Sequence, residues 1–288
     1  MGTSQALGPA HEIDLPAGRI RYHDIGSGSP VVFVHGLLVN ADLWRAVVPA
    51  VAAAGHRCLA ADWPLGAHSI PVPGADLTPT GVADLIADFL DRLDLTDVTV
   101  VANDTGGAIT QVLLTRRPER IGRVVLASVD SYENFPPRVF GTLPLLARLP
   151  GSMRPVTELL RVRALHRLPI AFGWVTKRPM PAEIADSYLL PSRRSGAIRK
   201  DLRRFLKTMH RRYTLDAASR FGSVRVPVLL AWAREDKLFP ASDAERLARE
   251  LPGATLTWID DSYTLVPEDR PELLTHRILE FTRLHATP

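Results

Sequence analysis

A chain of 288 residues, 46% hydrophobic and 23% charged, is long enough for one large domain or a domain with an insertion, and too apolar to be disordered. No window approaches the roughly 18 apolar residues of a membrane span, and residues 1–18 lack a basic stretch followed by an apolar run, so a cytoplasmic location is expected. The single Cys58, in the apolar run Cys58-Leu-Ala-Ala61, excludes a disulfide framework and a cysteine metal site and reads as a buried strand thiol.

In chain order, the pattern begins with two strands, Glu12 to Ile20 and Ile20 to Ile25, separated by a turn. Pro30-Val-Val-Phe-Val-His-Gly36 is a short buried strand ending in glycine, and Arg57 to Trp63 is another. Thr78 to Leu93 is an amphipathic helix with Thr78 or Thr80 as its N-cap. A strand over 97–103, a helix over 105–116 and a strand from Arg123 to Val129 follow. Pro227 to Trp232, Ala254 to Ile259 and a helix over 267–284 close the chain. Strands alternating with helices imply an α/β fold with a mostly parallel sheet and helices on both faces.

The rhythm breaks from Glu133 to Gly222, a stretch with no convincing strand, many prolines and helical patterns over Pro181 to Leu190 and Ser195 to His210. It reads as a helical insertion, dividing the chain into a core of residues 1–132 and 223–288 and a cap of residues 133–222. The insertion holds 18 Lys plus Arg against 6 Asp plus Glu, net +12, so the remainder carries −8. Such a split favours a small-molecule partner that is anionic or carrier-bound, or else marks a solvated arginine-rich face. Nucleic acid is not expected, because no recognised binding motif accompanies the charge.

The most informative segment is Val98-Thr-Val-Val-Ala-Asn-Asp-Thr-Gly-Gly-Ala108, an apolar β-branched run that ends in small-x-Asp-x-Gly and passes directly into a helical pattern. This is the pattern of a nucleophile elbow, a strained turn that lifts one side chain above the C-terminal edge of a sheet. With Asp104 at the apex, the carboxylate can attack carbon and form an alkyl ester. The plain alternative is an aspartate capping an ordinary β-turn-α junction.

From about residue 12 to residue 284 the chain resembles the α/β-hydrolase fold, in the branch with an Asp nucleophile that contains haloalkane dehalogenases and epoxide hydrolases. Phe33-Val-His-Gly36 followed by Trp44 is similar to the family's oxyanion segment, which implies backbone donors at Leu37 and Thr105. Ala231-Trp-Ala-Arg-Glu-Asp-Lys-Leu-Phe-Pro240 resembles the strand end that carries the catalytic acid, implying that role for Asp236. The 133–222 insertion corresponds to the family's cap. No cofactor and no metal are implied.

Three departures bear on the chemistry. The Trp after the nucleophile and the Asn after His-Gly that hold halide in dehalogenases are here Thr105 and Leu37, so dehalogenation is not expected. Leu38 stands where a related segment has proline. In Asp260-Asp-Ser-Tyr-Thr-Leu-Val-Pro267 the register of the family's general-base histidine falls on Thr264, or on Tyr263 after a shift of one. Threonine cannot deprotonate the water that cleaves an alkyl ester. Among the histidines, His68 in the loop after the fourth strand is the candidate substitute base, His35 is structural, and His166 and His210 lie in the cap.

Amides aimed at Asp104 would lower its pKa, whereas a closed apolar lid would raise it. Candidate substrate contacts are Tyr132 and Glu133 at the cap entrance, Tyr188 and Tyr213 within it, and Tyr263 in the base loop. Two cap tyrosines hold the epoxide oxygen in the epoxide hydrolases, which draws attention to Tyr188 and Tyr213. Three readings stand open. An epoxide-hydrolase-like enzyme acting on a small apolar metabolite needs a substitute base. A cofactor-free lyase, isomerase or cyclase, with Asp104 as acid or base, needs none. A degenerate ligand-binding protein would not need Asp104 at all.

Overall fold

Eleven helices and eight strands form among the residues that the computed structural model describes, 5–169 and 171–286. They run β1 (Ala10–Leu15), β2 (Gly18–Ile25), β3 (Ser29–Val34), α1 (Val48–Ala53), β4 (His56–Ala61), α2 (Pro79–Arg92), β5 (Val98–Asp104), α3 (Thr105–Arg116) and β6 (Ile121–Val129). The insertion contributes α4 (Leu143–Leu146), α5 (Met153–Leu159), α6 (Ala182–Arg194), α7 (Gly196–Leu206) and α8 (Arg212–Ala218). The chain then returns to β7 (Val228–Ala233), α9 (Ala241–Glu250), β8 (Ala254–Ile259), α10 (Val266–Asp269) and α11 (Pro271–Leu284).

The strands make one sheet in the order β1-β2-β4-β3-β5-β6-β7-β8. Only the β1–β2 and β2–β4 pairs are antiparallel. Parallel strands are covered on both faces and so carry near-continuous apolar runs. In β5, Val98 to Asn103 are all buried. The helices divide into two groups, α1 against α11 and α2 against α3, as a doubly covered sheet requires. Thr78 is the N-cap of α2, its side chain accepting from the Gly81 N–H at 3.0 Å, and Pro79 fills the first helical position.

Element boundaries depart from the sequence reading where proline intervenes. The first strand stops at Leu15, because Leu15 pairs with Gly18 across the two-residue turn Pro16-Ala17. The helix expected over 267–284 is broken at Arg270 (φ −140°, ψ 57°), which precedes Pro271 and is thereby kept out of the helical region.

The insertion is tied to the core at buried polar seams. Asp201 of α7 accepts from the Val72 N–H at 2.8 Å, and Tyr188 of α6 donates to Glu268 at 2.6 Å. Glu268 is also held by both terminal nitrogens of Arg45. Helix α7 turns Ile198, Leu202, Phe205 and Leu206 inward, while Arg204 donates to the Val72 and Pro73 carbonyls of the core.

Helix α3 lies so close to the sheet that a Cβ at Gly107 would come within 2.0 Å of the Val129 side chain. Overpacking of this kind costs about 1–3 kcal/mol. Gly107→Ala is therefore expected to lower the unfolding free energy by that amount, seen as a lower urea midpoint at unchanged m-value, whereas Gly222→Ala, with open space around it, should stay within about 0.5 kcal/mol of wild type.

Candidate active site

Asp104 joins the end of β5 to the start of α3 at φ 54°, ψ −134°. That conformation costs a non-glycine residue on the order of 1–3 kcal/mol. Its side chain makes no capping bond to α3, so the ordinary capped junction is not what forms. The carboxylate instead reaches across to the segment after β3, where Oδ2 accepts from the Leu37 N–H at 3.0 Å. The adjacent Thr105 N–H lies beside the same carboxylate and also favours its ionised form, without capping the helix. Glycine at 36 is required by this approach, since a Cβ there would lie 2.0 Å from Asp104 Oδ2. Leu38 has φ 54°, a value closed to proline with its fixed φ near −65°, which explains why the related segment's proline is absent.

Asp236 follows β7. Its Oδ1 accepts from the amides of Leu238 (2.8 Å) and Phe239 (3.0 Å) and from the Thr264 hydroxyl (2.7 Å). Thr264 thus stands on the acid, where the resemblance puts the general base, but its only polar hydrogen is spent on Asp236. Its loop is pinned by Asn103, whose Nδ2 donates to the Thr264 carbonyl at 2.8 Å and to the Ala127 carbonyl at 2.5 Å.

Asp130, one residue beyond β6, is a third carboxyl at this end of the sheet, fully buried, that the sequence reading did not single out. The Thr105 hydroxyl donates to its Oδ2 at 3.0 Å. Its signal was present in Ser128-Val-Asp130-Ser, a polar break at the C-terminal end of the strand beside the elbow strand, where α/β sheets collect functional groups. Burial pushes Asp130 well above the ordinary carboxylate range, and the neighbouring Asp104 charge adds to the shift. Burial also raises Asp104 to about 6 against its two amide donors, and Asp236 to about 6 against its own.

A cavity of about 290 Å³ opens above Asp104, between the core and the insertion. Core residues Leu37, Leu38, Val39, Leu238 and Leu265 form its floor with Asp104 and Thr105, and residues of α4, α5 and α7 form much of its roof. Beyond Asp104, Thr105 and Thr142 every lining side chain is apolar, and none carries an N–H.

Several expected site residues lie elsewhere. His68 does not line the cavity; its Nδ1 accepts from the Gly66 N–H at 3.3 Å and its Nε2 faces Asp201 at 3.3 Å, so both ring nitrogens are committed to the core–insertion seam. His35 is buried and neutral, with Nδ1 on the Gly36 carbonyl and Nε2 accepting from the Trp63 N–H, and burial lowers it to about 4. Tyr188 is consumed by Glu268, and the Tyr213 hydroxyl accepts from Arg212. Tyr132 packs beneath the Arg246 guanidinium at 3.8 Å, Tyr263 lies under Lys237, and Glu133 pairs with Arg246. None of these five lines the cavity; Tyr188 and Tyr213 have their hydroxyls engaged, Tyr132 and Tyr263 pack their rings against a cation, and Glu133 is in an ion pair.

A strained acidic elbow, amide donors from the segment after the third strand and an acid after the seventh are the working parts of an α/β hydrolase, and the chain belongs to the α/β hydrolase fold family, matching it over residues 29–271. Among its relatives, it is 28% identical over 260 residues to the uncharacterized hydrolase YugF of Bacillus subtilis, covering 88% of this chain and 89% of that one. It is 27% identical over 281 residues to a cis-3-alkyl-4-alkyloxetan-2-one decarboxylase of Shewanella oneidensis, covering 92% and 86%. The structure of the haloalkane dehalogenase DatA from Agrobacterium tumefaciens superposes with a TM-score of 0.82 at 21% identity over 99% of this chain and 100% of that one, a likeness of fold.

Two expectations follow. For a carboxyl raised from 3.8 to about 6, ionisation is free in the unfolded chain and costly in the folded one. Stability is thus intact below pH 4, falls between pH 4 and 6, and stays reduced above. Asp104→Asn should be more stable than wild type by on the order of 2–3 kcal/mol at pH 8, with the gain fading toward pH 4 in denaturant titrations at several pH values. Halide release from simple haloalkanes should stay far below about 1 s⁻¹ in an ion-selective electrode assay, because no lining side chain offers an N–H to a departing anion.

Proposed function

We propose that the protein is a cofactor-independent lyase that opens a strained, alkyl-bearing oxygen heterocycle, an oxetan-2-one, without using water. The observation that carries this reading is the make-up of the cavity: Asp104 is its one ionisable side chain, no imidazole lines it, and the hydroxyl of Thr264 is engaged with Asp236. Hydrolysis of an alkyl ester on Asp104 needs a base to activate water. A reaction whose ester collapses through its own substrate's electron pair needs none. The Shewanella relative, a decarboxylase of cis-3-alkyl-4-alkyloxetan-2-ones by name, gives the substrate class.

In the proposed course, the Asp104 oxygen not held by Leu37 attacks ring carbon 4. The C4–O bond breaks and its electron pair leaves on the ring's own carboxyl, giving an Asp104 alkyl ester and a free carboxylate on carbon 3. The C3–CO₂ bond then breaks, its pair forms the C3=C4 double bond, and the C4–O bond to Asp104 gives its pair back to the carboxylate. The products are an alkene and carbon dioxide, Asp104 is regenerated, and no proton or water is consumed.

Each feature of the site has a part in that sequence. The Leu37 amide on Oδ2, with the Thr105 amide beside the carboxylate, stabilises the charge shared over both oxygens when the C4–O bond to Asp104 breaks, the step such preorganised donors favour. Apolar walls replace the hydration shell of the attacking carboxylate and of the carboxylate that loses carbon dioxide. Asp104 must be ionised to attack, so the rate is expected to rise with pH through about 6 and then level.

The experiment is turnover of cis-3,4-dialkyloxetan-2-ones in H₂¹⁸O. The expected result is alkene and carbon dioxide in equal amounts, no ¹⁸O in the Asp104 peptide, and a loss of roughly 10⁴-fold or more in Asp104→Asn. A hydroxy-acid product carrying ¹⁸O, or efficient conversion of an epoxide to a diol, would overturn this reading in favour of hydrolysis. A simple epoxide should instead leave a lasting alkyl ester on Asp104, visible in intact-protein mass spectra. Thr264→His should speed loss of that ester by roughly 10² to 10⁴.

A further inference from the structure

Of the eight large hydrophobic side chains left exposed among the described residues, seven fall within residues 145–174: Leu145, Leu146, Leu149, Leu159, Val162, Leu168 and Trp174. Exposed apolar side chains concentrated in so short a stretch mark something that covers them. Exposed Arg148, Arg154, Arg161 and Arg167 alternate with these side chains and form no ion pair among the described residues. Glu158 is the one acid in the same stretch, and the whole insertion carries +12. Three of the exposed leucines, Leu146, Leu159 and Leu168, also line the cavity above Asp104. The outer apolar face and the cavity wall are therefore the same layer of side chains.

We propose that this face of the insertion docks on the surface of an anionic lipid bilayer, bringing the apolar wall of the cavity against the lipid. The chemistry is that of an interfacial amphipathic surface: aliphatic side chains enter the headgroup boundary, Trp174 lies where aromatic side chains favour the interface, and the arginines meet lipid phosphates. A second copy of this chain is disfavoured as the occupant, since a two-fold contact would set the same arginines against one another. The inference holds whichever reaction Asp104 performs.

The test is co-sedimentation of the full chain with sucrose-loaded vesicles of phosphatidylcholine alone or mixed with phosphatidylglycerol, at low and at physiological salt, without substrate. Binding is expected to the phosphatidylglycerol vesicles, weakening with salt. Each arginine near such a surface strengthens binding about fivefold, so Arg148→Gln, Arg154→Gln, Arg161→Gln and Arg167→Gln together should cost roughly 10² to 10³. Leu145→Ser, Leu149→Ser and Val162→Ser, which spare the cavity lining, should together cost about tenfold or more for each side chain that inserts, with an unchanged circular dichroism melt. No binding at low salt, equal binding to both vesicle types, or full binding by the serine variant would overturn the proposal. So would concentration-dependent dimerisation without lipid that the serine variant abolishes.

Discussion

The contact between the Asp104 carboxylate and the Leu37 amide is what the remainder of the site depends on. It joins the ends of two strands that lie side by side in the sheet, β3 and β5, paired in parallel up to Val34 and Ala102. The chain must turn sharply after both, and the space between the turns admits no extra atoms. A Cβ at Gly106 would lie 2.5 Å from the Val34 and His35 carbonyl oxygens, just as one at Gly36 would strike the carboxylate. His35 makes the approach rigid: its neutral ring bridges the Gly36 carbonyl and the Trp63 amide, linking the oxyanion segment to the end of β4. The strain at Asp104 persists because packing on every side leaves no relaxed alternative.

That rigidity brings together three carboxyls, the buried Asp130 and the half-buried Asp104 and Asp236. Hydrogen bonds are distributed unequally among them. Asp236 receives two amides and a hydroxyl, Asp104 two amides, and Asp130 the single hydroxyl of Thr105, with Oδ1 buried and unpartnered. A carboxylate in low dielectric is tolerated in proportion to the donors aimed at it. Asp130 is accordingly pushed furthest toward its neutral form, which spares Asp104 a second full charge nearby.

The sequence made the scaffold legible because each scaffold element is dictated locally. Val98 to Asn103 can only be a buried strand, Gly106 and Gly107 can only be a close helix–sheet approach, and Thr78-Pro79 can only open a helix. Asp104 was legible in the elbow pattern, and Asp236 and the amide donors were what the resemblance to the α/β hydrolases implied. The cavity's lining did not follow, because tyrosine and leucine at helical spacing look alike until packing selects which face turns inward. Tyr188 turned to Glu268, some eighty residues away, and His68 turned to Asp201 on the insertion. Both choices are long-range polar pairings that no local pattern encodes. Asp130 escaped notice for the opposite reason: its neighbours are sequence-local, but its meaning comes from Thr105, the first residue of α3 beyond the adjacent strand.

Thr264 changes what the carboxyl cluster can do as a unit. An imidazole at this position is the one group that would carry a positive charge among three acids, balancing Asp104 and Asp236 when both are ionised. A hydroxyl can bond to Asp236 but cannot become a cation, so each ionised carboxylate in the cluster is borne by amides and hydroxyls alone. In an apolar chamber that makes the Asp104 carboxylate costly to keep and correspondingly reactive, since its charge is dispersed as soon as it bonds to carbon. Among the residues lining the cavity, Asp104 is the one ionisable side chain, so the proposed course asks for no proton from water once the bond has formed. The proposed course suits such a site because in it the charge leaves Asp104, resides briefly on the substrate and returns to Asp104 without a proton changing hands.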